Sequence, residues 1–85
     1  MLRIHLGETA SETTTLWLEG RVIGPWVEEL RKTCEGILVN GTTLVLDLSN
    51  VSFVGREGIE LVRTLRNRHV ALRNCSPFVV EQLKG

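Results

Sequence analysis

The side chains able to do covalent or acid–base chemistry are few and scattered. His5 stands among alternating apolar residues, His69 follows an arginine-rich segment, and Cys34 and Cys75 lie far apart in the chain. A hydrolase or transferase needs a nucleophile held beside a base, and no such pair can be read here. Nor do these four residues contain a C-x-x-C or H-x-x-x-H pair, so no metal site and no cofactor are expected. The two thiols read as reduced, small hydrophobes. What remains is Gly55-Arg56-Glu57-Gly58, two glycines at the start of a helical apolar pattern. It invites comparison with phosphate-binding loops, but neither G-x-G-x-x-G nor G-x-x-x-x-G-K-[ST] is present. Packing accounts for both glycines, one as a tight turn and one as a close helix contact. It does not account for Arg56, because a cation at a helix start faces the positive end of the macrodipole, where Glu57 is the better-suited neighbour. Arg56 is therefore either a solvated cation partly neutralised by Glu57 or a contact residue.

The second half of the chain is the basic half, with six of the ten Lys/Arg from Arg56 onward. Arg63, Arg66, Arg68 and Arg73 form its cluster, yet no aromatic residues are interleaved and no nucleic-acid motif is present, so a solvated helix end is expected. A formal net charge of zero also gives no global attraction to nucleic acid or an anionic membrane. The chain has no signal-peptide pattern and no apolar stretch of about 20 residues, which predicts a cytoplasmic protein with no direct membrane insertion. Eighty-five residues, 42% hydrophobic and 24% charged, suit one globular domain over residues 1–85 with a modest core.

The elements that must position the loop follow from periodicity. Leu2, Ile4 and Leu6 alternate with polar residues, and so do Leu16 and Leu18 with Thr15 and Trp17, which predicts an antiparallel hairpin across a turn at Gly7 to Glu12. On this reading Trp17 lies on the outer face and becomes a contact residue if no helix covers it. Gly20 to Gly24 is a second loop, and Pro25 opens a helix whose apolar stripe is Trp26, Val27, Leu30, Cys34, Ile37 and Leu38. Glu28 is placed to pair with Lys32, and Asn40-Gly41 ends the helix. A buried strand, Leu44 to Leu48, breaks at Ser49-Asn50 and resumes from Val51 to Val54, with both faces covered. A helix over Arg56 to Asn67, a strand over His69 to Arg73 and a short helix capped by Ser76 and started by Pro77 complete the order β-β-α-β-α-β-α.

The combination of LWLEGRV, TTLVLDLSNVSFVGREGIELV and HVALRNCSPFVVEQL resembles the STAS domain, the family of sulfate transporters and anti-sigma factor antagonists. The family's strand pattern is met by Leu46, Asp47, Leu48, Val51 and Phe53, and its loop glycine by Gly58. The resemblance implies an α/β fold, a short βα superhelix with a mixed sheet and helices on one face. It also implies that residues 1–85 lack the final strand and helix of longer members, leaving one sheet edge open. In phospho-switched members a serine follows the loop aspartate and is phosphorylated by an anti-sigma factor kinase. Gly55 and Arg56 stand at those two positions here, and Glu57 replaces the next Ser or Thr.

The expectation is a non-catalytic protein–protein interaction module, resembling an anti-sigma factor antagonist but not switched by serine phosphorylation. Its contact loop is Val54, Gly55, Arg56, Glu57 and Gly58, with Arg21, Ile23 and Trp17 as secondary contacts. The partner implied is an anti-sigma factor kinase-like protein or a transporter or regulatory subunit. Two other classes stay open: a sensor of a small anionic ligand or nucleotide at the second helix start, and a structural subunit that forms homo-oligomers through the open edge.

Overall fold

A computed structural model describes residues 1–10 and 12–84, with the backbone alone for 8–10. The order is β1 (Leu2–Ala10), β2 (Thr13–Val22), α1 (Pro25–Leu38), β3 (Thr43–Val54), α2 (Arg56–Asn67), β4 (Ala71–Arg73) and α3 (Pro77–Lys84), as the sequence predicts. The sheet runs β1-β2-β3-β4, antiparallel at β1–β2 and parallel at the other two pairings. Alternation sorts its faces. Leu16, Leu18, Leu44, Leu46 and Leu48 are buried in one core with Leu30 and Cys34 of α1, Val62 and Leu65 of α2, and Val79 and Leu83 of α3. Arg3, His5, Trp17, Glu19 and Arg73 point the other way and are exposed, so the helices cover one face. Truncating any of these fully buried leucines to alanine would cost about 2–5 kcal/mol.

The differences from expectation are mostly in the strands. β3 does not break at Ser49-Asn50 but continues to Val54 through two irregularities. Trp17 pairs with Asp47 and Glu19 with Asn50, then Gly20 with Val51 and Arg21 with Phe53, so β3 carries an extra residue at each step. The buried positions accordingly shift from every second to every third residue: Leu44, Leu46, Leu48, Val51, Val54. The Ser49 N–H donates to Asp47 Oδ1 (2.9 Å) at the first irregularity. The Ser52 hydroxyl donates to the Gly20 carbonyl (3.2 Å) at the second. Side chains thus take up polar groups that bulging frees from the ladder. Only one face of β3 is covered by helices, because the sheet is single-sided.

β1 likewise runs on through Gly7 to Ala10, with a bulge between Leu6 and Thr9, where a turn was expected; residue 11 of that expected turn lies outside the described residues. A Cβ on Gly7 would meet Trp17 Nε1 and the Thr15 carbonyl, each at 2.9 Å. The indole therefore lies across the glycine of the neighbouring strand, which covers a weak edge position with an aromatic ring. β2 extends to Val22, into the expected second loop.

Helix ends follow their punctuation. Gly41, at φ 76°, closes α1, and Asn40 Nδ2 donates to the Gly36 carbonyl (3.1 Å). Glu28 pairs with Arg31 at 3.1 Å, not with Lys32, since i,i+3 neighbours meet on a helix surface as readily as i,i+4. At the end of α2, His69 does not begin a strand. It sits at φ 68°, its N–H bonds the Arg66 carbonyl (3.0 Å), and the Val70 N–H bonds the Leu65 carbonyl (3.1 Å). This is a Schellman motif with buried Leu65 and Val70 as its apolar contact and a histidine where glycine is usual. β4 starts only at Ala71 as a result.

Asp47 lies on the open face, only 8% exposed, and ties β3 to the turn before α3 by accepting Asn74 Nδ2 at 3.0 Å. Hydrogen bonds from the Ser49 hydroxyl and N–H, then from Asn74, with the nearby Arg73 charge, hold its carboxyl below the usual aspartate range against the opposing effect of burial.

Two outcomes follow. His69→Gly relieves a left-handed side-chain conformation at an exposed site, and urea unfolding should show a gain of about 0.5–1 kcal/mol, the left-handed cost being partly offset by glycine's greater unfolded entropy. Asp47→Asn should be less stable than the parent at neutral pH. Because the folded carboxyl titrates below its unfolded value of about 3.9, the ionised form's contribution is present above that pH and disappears as pH falls through the folded pKa. Melts of both proteins should therefore converge on acidification; a gap that persists unchanged would remove the charge from the explanation.

Candidate functional site

The loop between β3 and α2 is set by how near its backbone comes to the end of β2. The Gly55 N–H donates to the Val22 carbonyl (3.0 Å), and the Gly55 carbonyl accepts from the Ile59 N–H (2.9 Å), which starts α2. Gly55 has an ordinary φ of −76°, so it is not a left-handed turn residue. What it provides is space, since a Cβ there would lie 3.2 Å from Ile23 Cγ2. Gly58 is more constrained: its Cβ would come within 2.8 Å of both the Val22 carbonyl oxygen and Val54 Cγ1. The close helix contact read from the sequence is a contact of the first turn of α2 with the β2 backbone.

This approach brings two helix starts together. The α1 N-cap is Gly24 and the α2 N-cap is Gly55, and neither receives a side-chain cap. Between them lies a groove of about 210 Å³ lined by Ile23, Gly24, Val27, Gly55, Arg56, Glu57 and Gly58. The structure thus unites Ile23 with four residues of the predicted loop. Val54 is adjacent but its side chain is fully buried, and its carbonyl accepts Gln82 Nε2 at 3.3 Å. Its side chain belongs to the core. Arg21 pairs across the sheet with Phe53, outside the groove, and Trp17 lies away on the open face beside Gly7, 52% exposed. Gly24 and Val27 were missed, although Gly24-Pro25 before an apolar stripe is the signal that places them at a helix start.

Arg56 and Glu57 are both exposed, and Arg56 makes no ion pair among the described residues. The other arginines are dispersed instead of clustered. Arg63 donates from Nε and Nη2 to the Leu83 and Gln82 carbonyls (3.2 and 3.0 Å), closing the C-terminal end of α3. Arg68 pairs with Glu35 of α1. Arg63 thus has a structural use where a solvated cation was expected, while Arg66, Arg68 and Arg73 are exposed as expected.

Neither cysteine is poised for chemistry. Burial pushes the Cys34 thiol up to about 12, with Glu35 adding to the effect and Arg68 opposing it, and burial raises Cys75 against the opposing charge of Arg66. A protonated thiol is neither a nucleophile nor a metal ligand. No group of three His, Cys, Asp or Glu residues among the described residues could hold a metal ion. No helix among them is long and apolar enough to cross a membrane.

No protein-family model and no curated protein matches the chain. A solved structure does: that of the anti-sigma factor antagonist SpoIIAA in its unphosphorylated form, with a TM-score of 0.77 and 24% identity over 96% of this chain and 82% of that one. The two share a fold, the STAS arrangement of a mixed sheet with helices on one face.

Gly58→Ala tests the close approach. The added methyl group must push α2 from β2 or distort Val54, and a loss of about 1–3 kcal/mol is expected in urea unfolding. A variant as stable as the parent would show that the first turn of α2 has room to spare.

Proposed function

We propose that this chain is a non-catalytic protein–protein interaction module that meets its partner through the groove and exposed first turn of α2. The observation that carries the reading is the placing of Arg56. On a fold shared with an anti-sigma factor antagonist, an exposed arginine without an ion pair among the described residues stands at the start of α2, beside a groove whose other wall is the start of α1. Packing needs Gly55 and Gly58 there. It does not need Arg56.

By its resemblance to phospho-switched STAS domains, the position of Arg56 is the one where a serine gains negative charge. An arginine accepts no phosphate, and its charge is opposite to that of the modified state. Two serines to either side are engaged elsewhere: Ser52 Oγ donates to the Gly20 carbonyl, and Ser76 Oγ accepts the Val79 N–H (3.3 Å) as the α3 cap. The contact is therefore constitutive, and partner choice rests on a fixed positive charge. An anti-sigma factor kinase-like protein or a regulatory or transporter subunit is the class of partner that the resemblance implies.

The groove favours this reading over a nucleotide sensor: pockets for such ligands run to about 300–1,000 Å³ and enclose most of the ligand, whereas this one holds about 210 Å³ between Ile23, Gly24 and Val27 on one side and Gly55, Arg56, Glu57 and Gly58 on the other.

The test is affinity capture with the parent chain and Arg56→Ala side by side, followed by titration of the captured partner. A contact of this kind should weaken about tenfold or more in the variant, with the fold unchanged by circular dichroism. Equal capture by both would remove Arg56 from the interface. Incubation with a kinase associated with that partner should leave the chain unmodified, and phosphate on Ser52 or Ser76 would overturn the constitutive reading.

A further inference from the structure

We propose that the interface extends from the loop across an arginine–phenylalanine patch at the C-terminal end of β3 and the start of α3, and that this patch takes a protein segment carrying acidic side chains around an aromatic or long aliphatic anchor. This rests on the loop reading above and specifies what binds there. Phe53 is 41% exposed and Phe78 57%, and their rings stand 6.5 Å apart at 32°. Two large apolar rings side by side in water are an unusual use of surface, and a desolvated aromatic centre is the common anchor of protein interfaces.

Charge selects the occupant. Arg21 is the cross-strand partner of Phe53, and Arg56 follows it by three residues on the loop. Both arginines are exposed and, like Lys32, Arg66 and Arg73, make no ion pair among the described residues. The patch joins the loop through α3. Gln82, one turn after Phe78, donates to the Val54 carbonyl and shares a shallow depression with Arg56 and Ile59. An apolar centre flanked by exposed cations is complementary to an acidic segment that brings an apolar side chain. Nucleic acid fits less well, because the chain has no net charge to hold a phosphate backbone.

The experiment selects short linear peptides from a displayed random library on the immobilised full chain, then measures the enriched peptides against the parent, Phe78→Ala, Arg21→Glu and Arg56→Ala. Enriched peptides should combine Asp or Glu with Phe, Trp, Leu or Met, and should lose roughly tenfold in affinity with each variant. All three positions are exposed, and unchanged circular dichroism confirms the fold. Peptides weakened only by Arg56→Ala would sink the patch and leave the loop standing. Peptides weakened by Phe78→Ala and Arg21→Glu but indifferent to Arg56→Ala would keep the patch and remove the loop. No enrichment, enrichment of basic peptides, tighter binding of a thymidine oligonucleotide, or self-association abolished by Phe78→Ala would each overturn the proposal.

Discussion

The structure depends on how closely the first turn of α2 can approach the end of β2. With no side chain at Gly58, the helix backbone comes down onto the Val22 carbonyl, and that distance fixes the geometry of everything nearby. It orients Gly55 to bond Val22, starts α2 without a side-chain cap, and sets the start of α1 across a narrow groove. A methyl group at Gly58 would meet the Val22 carbonyl and push the two helix starts apart, whereas one at Gly55 would press only on the Ile23 side chain. The requirement is therefore geometric before it is chemical, and it places no demand on the exposed side chain of Arg56.

Helices were more legible in the sequence than strands. The α2 range Arg56 to Asn67 and the Pro25 start of α1 follow from local punctuation and a 3.6-residue stripe, both contained in a short window. β3 was read with an interruption at Ser49-Asn50 because its two bulges turn an alternating pattern into one of threes. His69 was misplaced for a related reason, since a Schellman motif is ordinarily announced by glycine. Arg63 looked like a solvated cation because its acceptors are carbonyls about twenty residues away. Asp47 fits a strand pattern by position, but its bond to Asn74 cannot be seen without the fold.

The candidate site was half legible. Arg56 stood out because it contradicted a local rule, and an exception of that kind is more informative than a fitting residue. Ile23 and the loop do come together. Val54 turned inward because it continues the buried face of β3, and Trp17 found a use at Gly7 that needs no partner. Gly24 and Val27 were missed because the loop was read as one segment, when its opposing wall comes from the preceding βα connection.

The parallel pairings have a consequence for when the contact surface exists at all. Thr13 pairs with Thr43, and Gly55 bonds Val22, so the groove is held by residues about thirty positions apart. Only the β1–β2 hairpin is local; the other pairings wait on long loop closures, which makes them late and mutually dependent in assembly. A form in which β2 and β3 are unpaired cannot present the two helix starts in register. A protein that binds them is bound to the whole fold, and by mass action it stabilises every strand of the sheet, including those it never touches.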